Sequence, residues 1–430
     1  MPSLDVIRAA TAKLHDGPPL VAVFTATTGI GPYTAKELAK AFASSGSKLR
    51  VYIVGRNAER AEALCKDGRQ LSPGSDWQYV PAKNLALINE VDDICAEIRR
   101  REERAPFQGG PARVDLLYMS HCWPVLKKRE DTSEGLDTFL STTYYSRIRF
   151  IMQLEPLLTA SPSAHVISIY AGNFEDPIKP GQQPIGLPPP EEYGVGGVRK
   201  YTSFMKVFMF ETLAEKHAGH ISFTYVYPGL VDGPAFYVES NTPLWFRWLW
   251  PVIKVVLGWY MTSAEDCGQV MLFLATPTFP AQGTASESGN QQVARSTKGE
   301  VGGGSYATGH RAEWKEKGTS FEKHRQPDTA KKVWDHTMEV IDRVVAGRDT
   351  GAPRVPMDIL IQAGGPVELG AGYSARGTLR TWAKKQMTTS GPISRGTLEE
   401  QYNHSHALPY GRADLITVSS ASVEARDARR

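Results

Sequence analysis

Two short stretches carry residue types suited to holding a phosphorylated ligand. Residues 23 to 31 read VFTATTGIG, an apolar run entering a turn that ends Gly29-Ile30-Gly31, and residues 33 to 45 continue with a helical pattern. A glycine turn between strand and helix lets backbone amides approach a pyrophosphate, and the helix N-terminus adds a partial positive charge. Thr25 stands where a third glycine would usually sit. A β-branched residue accepts that position only with negative φ, so the strand is expected to extend through Thr25 and the turn to tighten later. Thr27 and Thr28 then offer hydroxyls to phosphate oxygens. The second stretch, VYIVGRN, is the end of the next strand, where a carboxylate would bind a ribose 2′-hydroxyl and a basic residue would accommodate a 2′-phosphate. Arg56, followed by Asn57, is basic and no carboxylate precedes Gly55. A guanidinium fork matches a phosphate, so the two stretches together point to NADP rather than NAD.

The elements that would position these residues alternate along the chain. Strand-like runs are LVAVFT, LRVYIVG, WQYVPA, VDLLYMS, AHVISIY and ISFTYVYPG, separated by helix-like segments beginning near residues 32, 57, 86, 136 and 199. Short, wholly apolar strands separated by helices predict an α/β fold with a doubly wound parallel sheet of the Rossmann kind, covered on both faces. Residues 4 to 14 suit a short amphipathic helix, and TAKKVWDHTMEVIDRVV a last one. Residues 173 to 190, rich in Pro and Gly, read as a long loop, as does SGNQQVARSTKGEVGGGSYATG. The expected organisation is one nucleotide-binding domain over residues 1–345, with a substrate lid over about 233–262, and a polar, disordered tail over 346–430.

Composition narrows the function classes. The chain has 430 residues, 41% hydrophobic and 22% charged, with a formal net charge of +3 and acidic and basic residues interspersed, so no basic stripe argues for nucleic acid. Cys65, Cys95, Cys122 and Cys267 are far apart, which gives no metal or disulfide framework and suits reduced cysteines in a cytoplasmic protein. The N-terminus lacks the apolar run of a signal peptide. Residues 243 to 261 are apolar but interrupted by Arg247, Pro251 and Lys254, too broken to span a membrane.

The chain resembles the short-chain dehydrogenase/reductase family. Phe24 to Gly31 occupy the register of that family's Thr-Gly-x-x-x-Gly-x-Gly turn, KNLALINEVD its Asp-Leu segment, Tyr118-Met119-Ser120-His121 its Asn-Asn-Ala-Gly, and YPGLVDGP its Pro-Gly-x-Val. The resemblance covers residues 19 to 345 and is nearest to fungal members of secondary-metabolite pathways, on EGLD, YYSR and KVWDHTMEV. It implies that Asn84 contacts adenine, that Ser120 stands beside the cofactor, and that Pro228, Gly229 and Val231 lie beside a nicotinamide. It also implies reduction of a ketone or oxidation of an alcohol by a Tyr, a Lys four residues on, a Ser after the fifth strand and an Asn in the fourth helix.

The catalytic set departs from that pattern. Counting back from Gly172 puts Ile169 at the Ser position, with Ser168 one residue earlier. Tyr201 and Lys206 are five residues apart, an angular offset of about 140° on a helix, while a second register puts Tyr193 at the Tyr position and Gly197 where Lys should be. Thr202 and Lys206 share a face, but a Thr hydroxyl is a poor acid. Thr142 or Thr143 occupies the Asn region, and His121 is a spare acid/base candidate. These departures leave open a second function, a protein of the same fold that binds NADP or a metabolite without redox chemistry.

The partner on the substrate side is a small lipophilic molecule, on the aromatic crowding of Phe236, Tyr237, Trp245, Phe246, Trp248, Trp250, Trp259 and Tyr260. A peripheral membrane contact or a contact between copies of the chain would use the same residues.

Overall fold

The computed structural model describes residues 2–122, 129–231, 244–256, 258, 261–285 and 292–350. Seven strands form one sheet: β1 (Leu20–Phe24), β2 (Leu49–Gly55), β3 (Asp76–Pro81), β4 (Leu116–Met119), β5 (Ala164–Ile169), β6 (Ile221–Val226) and β7 (Ser305–Thr308). Their order is β3-β2-β1-β4-β5-β6-β7, and every pairing is parallel. This is the doubly wound sheet that the sequence predicts. The direction of winding reverses between β1 and β4, the point where such sheets open a crevice at the carboxyl ends of their strands.

The helices are α1 (Leu4–Ala12), α2 (Ile30–Ala41), α3 (Ala58–Leu71), α4 (Ile88–Arg104), α5 (Thr138–Leu140), α6 (Ser146–Thr159), α7 (Val195–Lys216), α8 (Leu244–Val256), α9 (Ala264–Phe273) and α10 (Thr329–Thr350). Alternate strand residues feed two apolar clusters. Val166 joins Ile148, Phe204 and Val340 on the face covered by α4, α6, α7 and α10. Ile167 and Ile169 join Leu38, Cys65 and Met271 on the face covered by α1, α2, α3 and α9. Burial of each such aliphatic side chain is worth about 1.5–3 kcal/mol, which is why short propensity-poor segments hold their places.

Helix α7 lies deep. Every residue from Tyr201 through Glu211 is buried, because the helix is wedged between the sheet and α10. A helix buried all round carries no amphipathic stripe, and a polar residue on it has no water to turn to. The single expected helix over residues 136 to 158 is instead α5 and α6 joined through a π-helical turn, Ser141–Tyr145.

One loop expectation is corrected. SGNQQVARSTKGEVGGGSYATG ends in a strand, β7, whose four residues are all buried against β6. With Gly302 to Gly304 before it and only Tyr306 and Ala307 apolar, the segment has no hydrophobic run to announce itself; pairing with β6 makes it a strand. Of the expected lid, residues 233–243, 257, 259 and 260 lie outside the described residues, as does the expected tail beyond Thr350.

Candidate active site

The glycine turn is built by two different constraints. The strand ladder continues one residue past β1, with the Thr25 amide donating to the Tyr118 carbonyl at 3.0 Å. Thr25 is absent from the positive-φ residues, while Gly29 takes φ 71° and ψ −132°, a conformation that costs a β-branched residue heavily. Gly29 is the N-cap of α2 and supplies no side-chain acceptor to the first amides of that helix. Space is open around it, since a Cβ there would meet nothing within 4 Å. Gly31 instead allows close approach: a Cβ would fall 2.6 Å from Ser120 Oγ at the end of β4.

Around this turn the predicted nucleotide residues take distinct places. Thr27 lies against Gly55, where a Cβ would come within 2.3 Å of its methyl, and Thr28 faces solvent. Ile30 opens α2. Arg56 is exposed at the end of β2, beside the turn because β2 pairs with β1. Asn57 is committed to capping α3, its side-chain oxygen accepting from the Arg60 amide at 2.8 Å. Asn84 closes the turn into α4, accepting from the Ala86 amide at 3.0 Å. Ser120 Oγ is buried without a hydrogen-bond partner. Beyond β6, Pro228, Gly229 and Val231 continue along the same sheet edge, Val231 bridging to Thr262. The open space at Gly29 and the orphaned hydroxyl of Ser120 fit a bound pyrophosphate at the α2 N-terminus, because a buried hydroxyl without a partner is costly and a ligand oxygen relieves it.

A buried polar cluster lies beside this crevice. Arg147 of α6 is fully buried. It donates to Thr142 O at 2.9 Å, Ser168 Oγ at 2.9 Å, Ile169 O at 2.9 Å and His121 O at 2.5 Å. The π-helical turn places Thr142 in reach of this guanidinium and Thr143 Oγ1 3.3 Å from Thr202 Oγ1. His121 lies between Thr25 Oγ1, 2.6 Å from Nδ1, and Ser146 Oγ, 3.0 Å from Nε2. Both ring nitrogens are thus engaged, and burial, then Arg147 and Lys206, hold His121 well below the ordinary histidine range. Burial likewise pushes Arg147 down to about 10.

Of the predicted catalytic residues, the structure brings Ser168 and Lys206 to this cluster. Ser168 is fully buried with its hydroxyl bonded to Arg147. Lys206 is 1% exposed, its Nζ has no hydrogen-bond partner, and it stands 5.7 Å from the centre of the Tyr170 ring. Burial and the neighbouring Arg147 hold its ammonium well below the ordinary lysine range. The two predicted tyrosines face elsewhere. Tyr201 OH receives a hydrogen bond from Gln182 Nε2 at 3.2 Å. Tyr193 precedes α7 and donates to Asp137 Oδ2 at 2.7 Å. The second register has no room for its lysine, since a Cβ on Gly197 would lie 1.8 Å from Glu192 O.

Sequence reasoning missed Arg147 and Tyr170. Arg147 stands four residues after Thr143 between Ser146 and Ile148 in the helix, and Tyr170 follows Ser168 at the two-residue spacing that keeps strand residues on one face. Both signals are present but weak.

Helix α8 carries exposed apolar residues: Trp248 is 77% exposed and Val255 84%, with Leu249, Val252 and Val256 exposed beside them, while Trp250 is buried. Among the described residues no helix is long and apolar enough to cross a membrane, and no group of His, Cys, Asp and Glu could hold a metal ion.

The chain is 54% identical over 349 residues to the short-chain dehydrogenase/reductase SAT2 of Stachybotrys chartarum, covering 80% of this chain and 98% of that protein. It is 31% identical over 360 residues to the oxidoreductase andH of Emericella variicolor, covering 81% and 99%. No protein-family model matches the chain. Among solved structures, L-sorbose reductase of Gluconobacter frateurii, complexed with NADPH and L-sorbose, superposes with a TM-score of 0.43 at 17% identity, covering 60% of this chain and 90% of that one. By the near-full-length relation at 54% identity, the chain belongs to the short-chain dehydrogenase/reductase family. It is an oxidoreductase of that family, as the resemblance implied.

Proposed function

We propose that the protein is an NADP-dependent oxidoreductase that reduces a ketone, or oxidises the corresponding alcohol, on a lipophilic metabolite of a secondary pathway. The observation that carries this reading is the shared sheet edge: the open α2 N-terminus with Ser120 Oγ orphaned beside it, and Lys206 Nζ orphaned one strand further along. The glycine turn, with Thr28 at its exposed tip, would hold the pyrophosphate. Arg56 would hold the 2′-phosphate, Asn84 the adenine side, and Pro228, Gly229 and Val231 the nicotinamide end. The reduced cofactor supplies the hydride. The chain's own residues orient the carbonyl, exclude water and provide the proton.

Saturable fluorescence enhancement of NADPH, with much weaker NADH binding, is the expected result. Arg56→Asp should reverse that preference, since it replaces the exposed cation at the end of β2 by the carboxylate that selects a free ribose hydroxyl. Unchanged selectivity in this variant would take Arg56 out of the site.

A second reading rests on the hydroxyls of Tyr193 and Tyr201 being committed to Asp137 and Gln182. In it the protein binds the dinucleotide without redox chemistry, and wild-type protein that binds NADPH but consumes none with any of a panel of lipophilic ketones supports it. The exposed apolar residues of α8 support a peripheral contact with a lipid surface, where a lipophilic substrate would be met.

A further inference from the structure

The family pattern supplies its phenol four residues before the lysine, on the same helix face. Here that position is Thr202, fully buried and 3.3 Å from the Thr143 hydroxyl. A second route to the same place runs along β5. Val166 packs on the α6 and α7 face of the sheet while Ile167 and Ile169 pack on the other, so Ser168 and Tyr170 both project towards α6 and α7. Ser168, the deeper of the two, accepts a hydrogen bond from Arg147. Tyr170 stands two residues nearer the carboxyl edge, only partly buried itself, yet its hydroxyl is buried and has no hydrogen-bond partner. The Ser203 hydroxyl donates to Ala171 O at 3.2 Å and pins α7 to the strand end, and Phe139 meets the Tyr170 ring edge-on at 6.0 Å. Three buried polar atoms without partners therefore come from three elements: Ser120 Oγ after β4, Tyr170 OH after β5 and Lys206 Nζ on α7, the last 5.7 Å from the centre of the Tyr170 ring.

We propose that Tyr170, delivered from the end of β5 rather than from α7, is the proton donor of the reaction, with the Arg147 guanidinium and the Lys206 amine as its polar neighbours. The proposal rests on the NADP-dependent reading above. As the carbonyl carbon gains hydride from the reduced dinucleotide, the C=O double bond becomes a single bond and its oxygen takes the phenolic proton. The Tyr170 O–H bond breaks, and the phenolate left near the Arg147 guanidinium is reprotonated from water. Alcohol oxidation runs the same transfers in reverse. Burial holds the Tyr170 phenol above its ordinary range, so it enters the cycle protonated.

The test is Tyr170→Phe, which removes only an unpartnered hydroxyl, against Tyr201→Phe and Tyr193→Phe. With the ketone of the panel that wild-type protein reduces fastest, kcat/KM in Tyr170→Phe should fall by at least about 100-fold, the scale of a lost general acid. The two control variants should stay within about threefold of wild type, far inside that range. The NADPH dissociation constant should be unchanged within about twofold, since no cofactor contact is removed. In the dead-end complex with NADP⁺, affinity for the same ketone, read by tryptophan quenching, should weaken by roughly 2- to 10-fold, the worth of one hydrogen bond. Tyr170→Phe retaining wild-type turnover, or binding the ketone as tightly, would overturn the proposal. So would a melting temperature lowered by several degrees, which would make the hydroxyl structural. Failure of the underlying reading looks different: wild-type protein itself then consumes no NADPH with any ketone.

Discussion

Lys206 offers a test in which stability and activity should move in opposite directions. Methionine matches the length of lysine and removes the charge. In wild-type protein the ammonium is 1% exposed and has no hydrogen-bond partner, with the fully buried Arg147 as its charged neighbour. An unpaired ammonium in such a place costs several kcal/mol, and the group limits that cost by losing its proton. The sign comes from proton counting. A lysine whose folded pKa is depressed binds fewer protons in the folded than in the unfolded state between that pKa and the ordinary 10.5. Stability is therefore lowest below the folded pKa and rises as pH climbs towards 10.5, by at most about 1.4 kcal/mol per pH unit. Lys206→Met lacks that dependence. It should be more stable than wild type by about 2–4 kcal/mol near pH 6, with the gap closing towards about pH 9.5. Urea unfolding of both proteins at the two pH values measures this, and contributions from titrating groups that do not interact with Lys206 cancel in the difference. Ketone reduction should be largely lost in the same variant. A Met variant no more stable than wild type, or a gap that ignores pH, would mean that the ammonium is satisfied where it lies, and the orphaned-cation argument would fail.

Two further outcomes test the surroundings. Gly197→Ala should destabilise the protein by about 1–3 kcal/mol, because its Cβ would stand 1.8 Å from Glu192 O; unaltered urea midpoints would mean that the start of α7 is packed differently. Trp248→Glu combined with Val255→Glu should reduce co-sedimentation with phosphatidylserine-containing vesicles by roughly tenfold or more without changing NADPH affinity, since both residues are exposed on α8. Equal partitioning of the variant would remove α8 from any lipid contact.

The sheet was legible because it depends on local apolar runs. Six of its strands announce themselves as short hydrophobic segments between helical patterns, and the glycine turn carries its own conformational reason at Gly29. What the sequence hid were elements defined by neighbours. β7 becomes a strand through its ladder with β6. The interruption in the helix expected over residues 136 to 158 is a π-helical turn whose value is tertiary: it sends the Thr142 carbonyl towards Arg147 and the Thr143 hydroxyl towards Thr202. No periodicity argument sees a turn of that kind.

The polar cluster was hidden for a related reason. A motif search asks for residue types at fixed spacing along one element, whereas this site assembles its cations and hydroxyls from β4, β5, α6 and α7. Arg147 is the clearest case. Four of its hydrogen bonds go to neutral acceptors, three of them backbone carbonyls. A buried guanidinium whose hydrogen bonds go to neutral acceptors is expensive, and its position is explained if the charge is needed when an oxyanion forms nearby. The same logic reorders the catalytic candidates. A hydroxyl that already donates its proton to a structural partner, as Tyr193 does to Asp137, is a weaker claimant than the buried, unpartnered hydroxyl of Tyr170. Counting which buried polar atoms are already satisfied, rather than which residues match a spacing, is what moves attention from α7 to the end of β5.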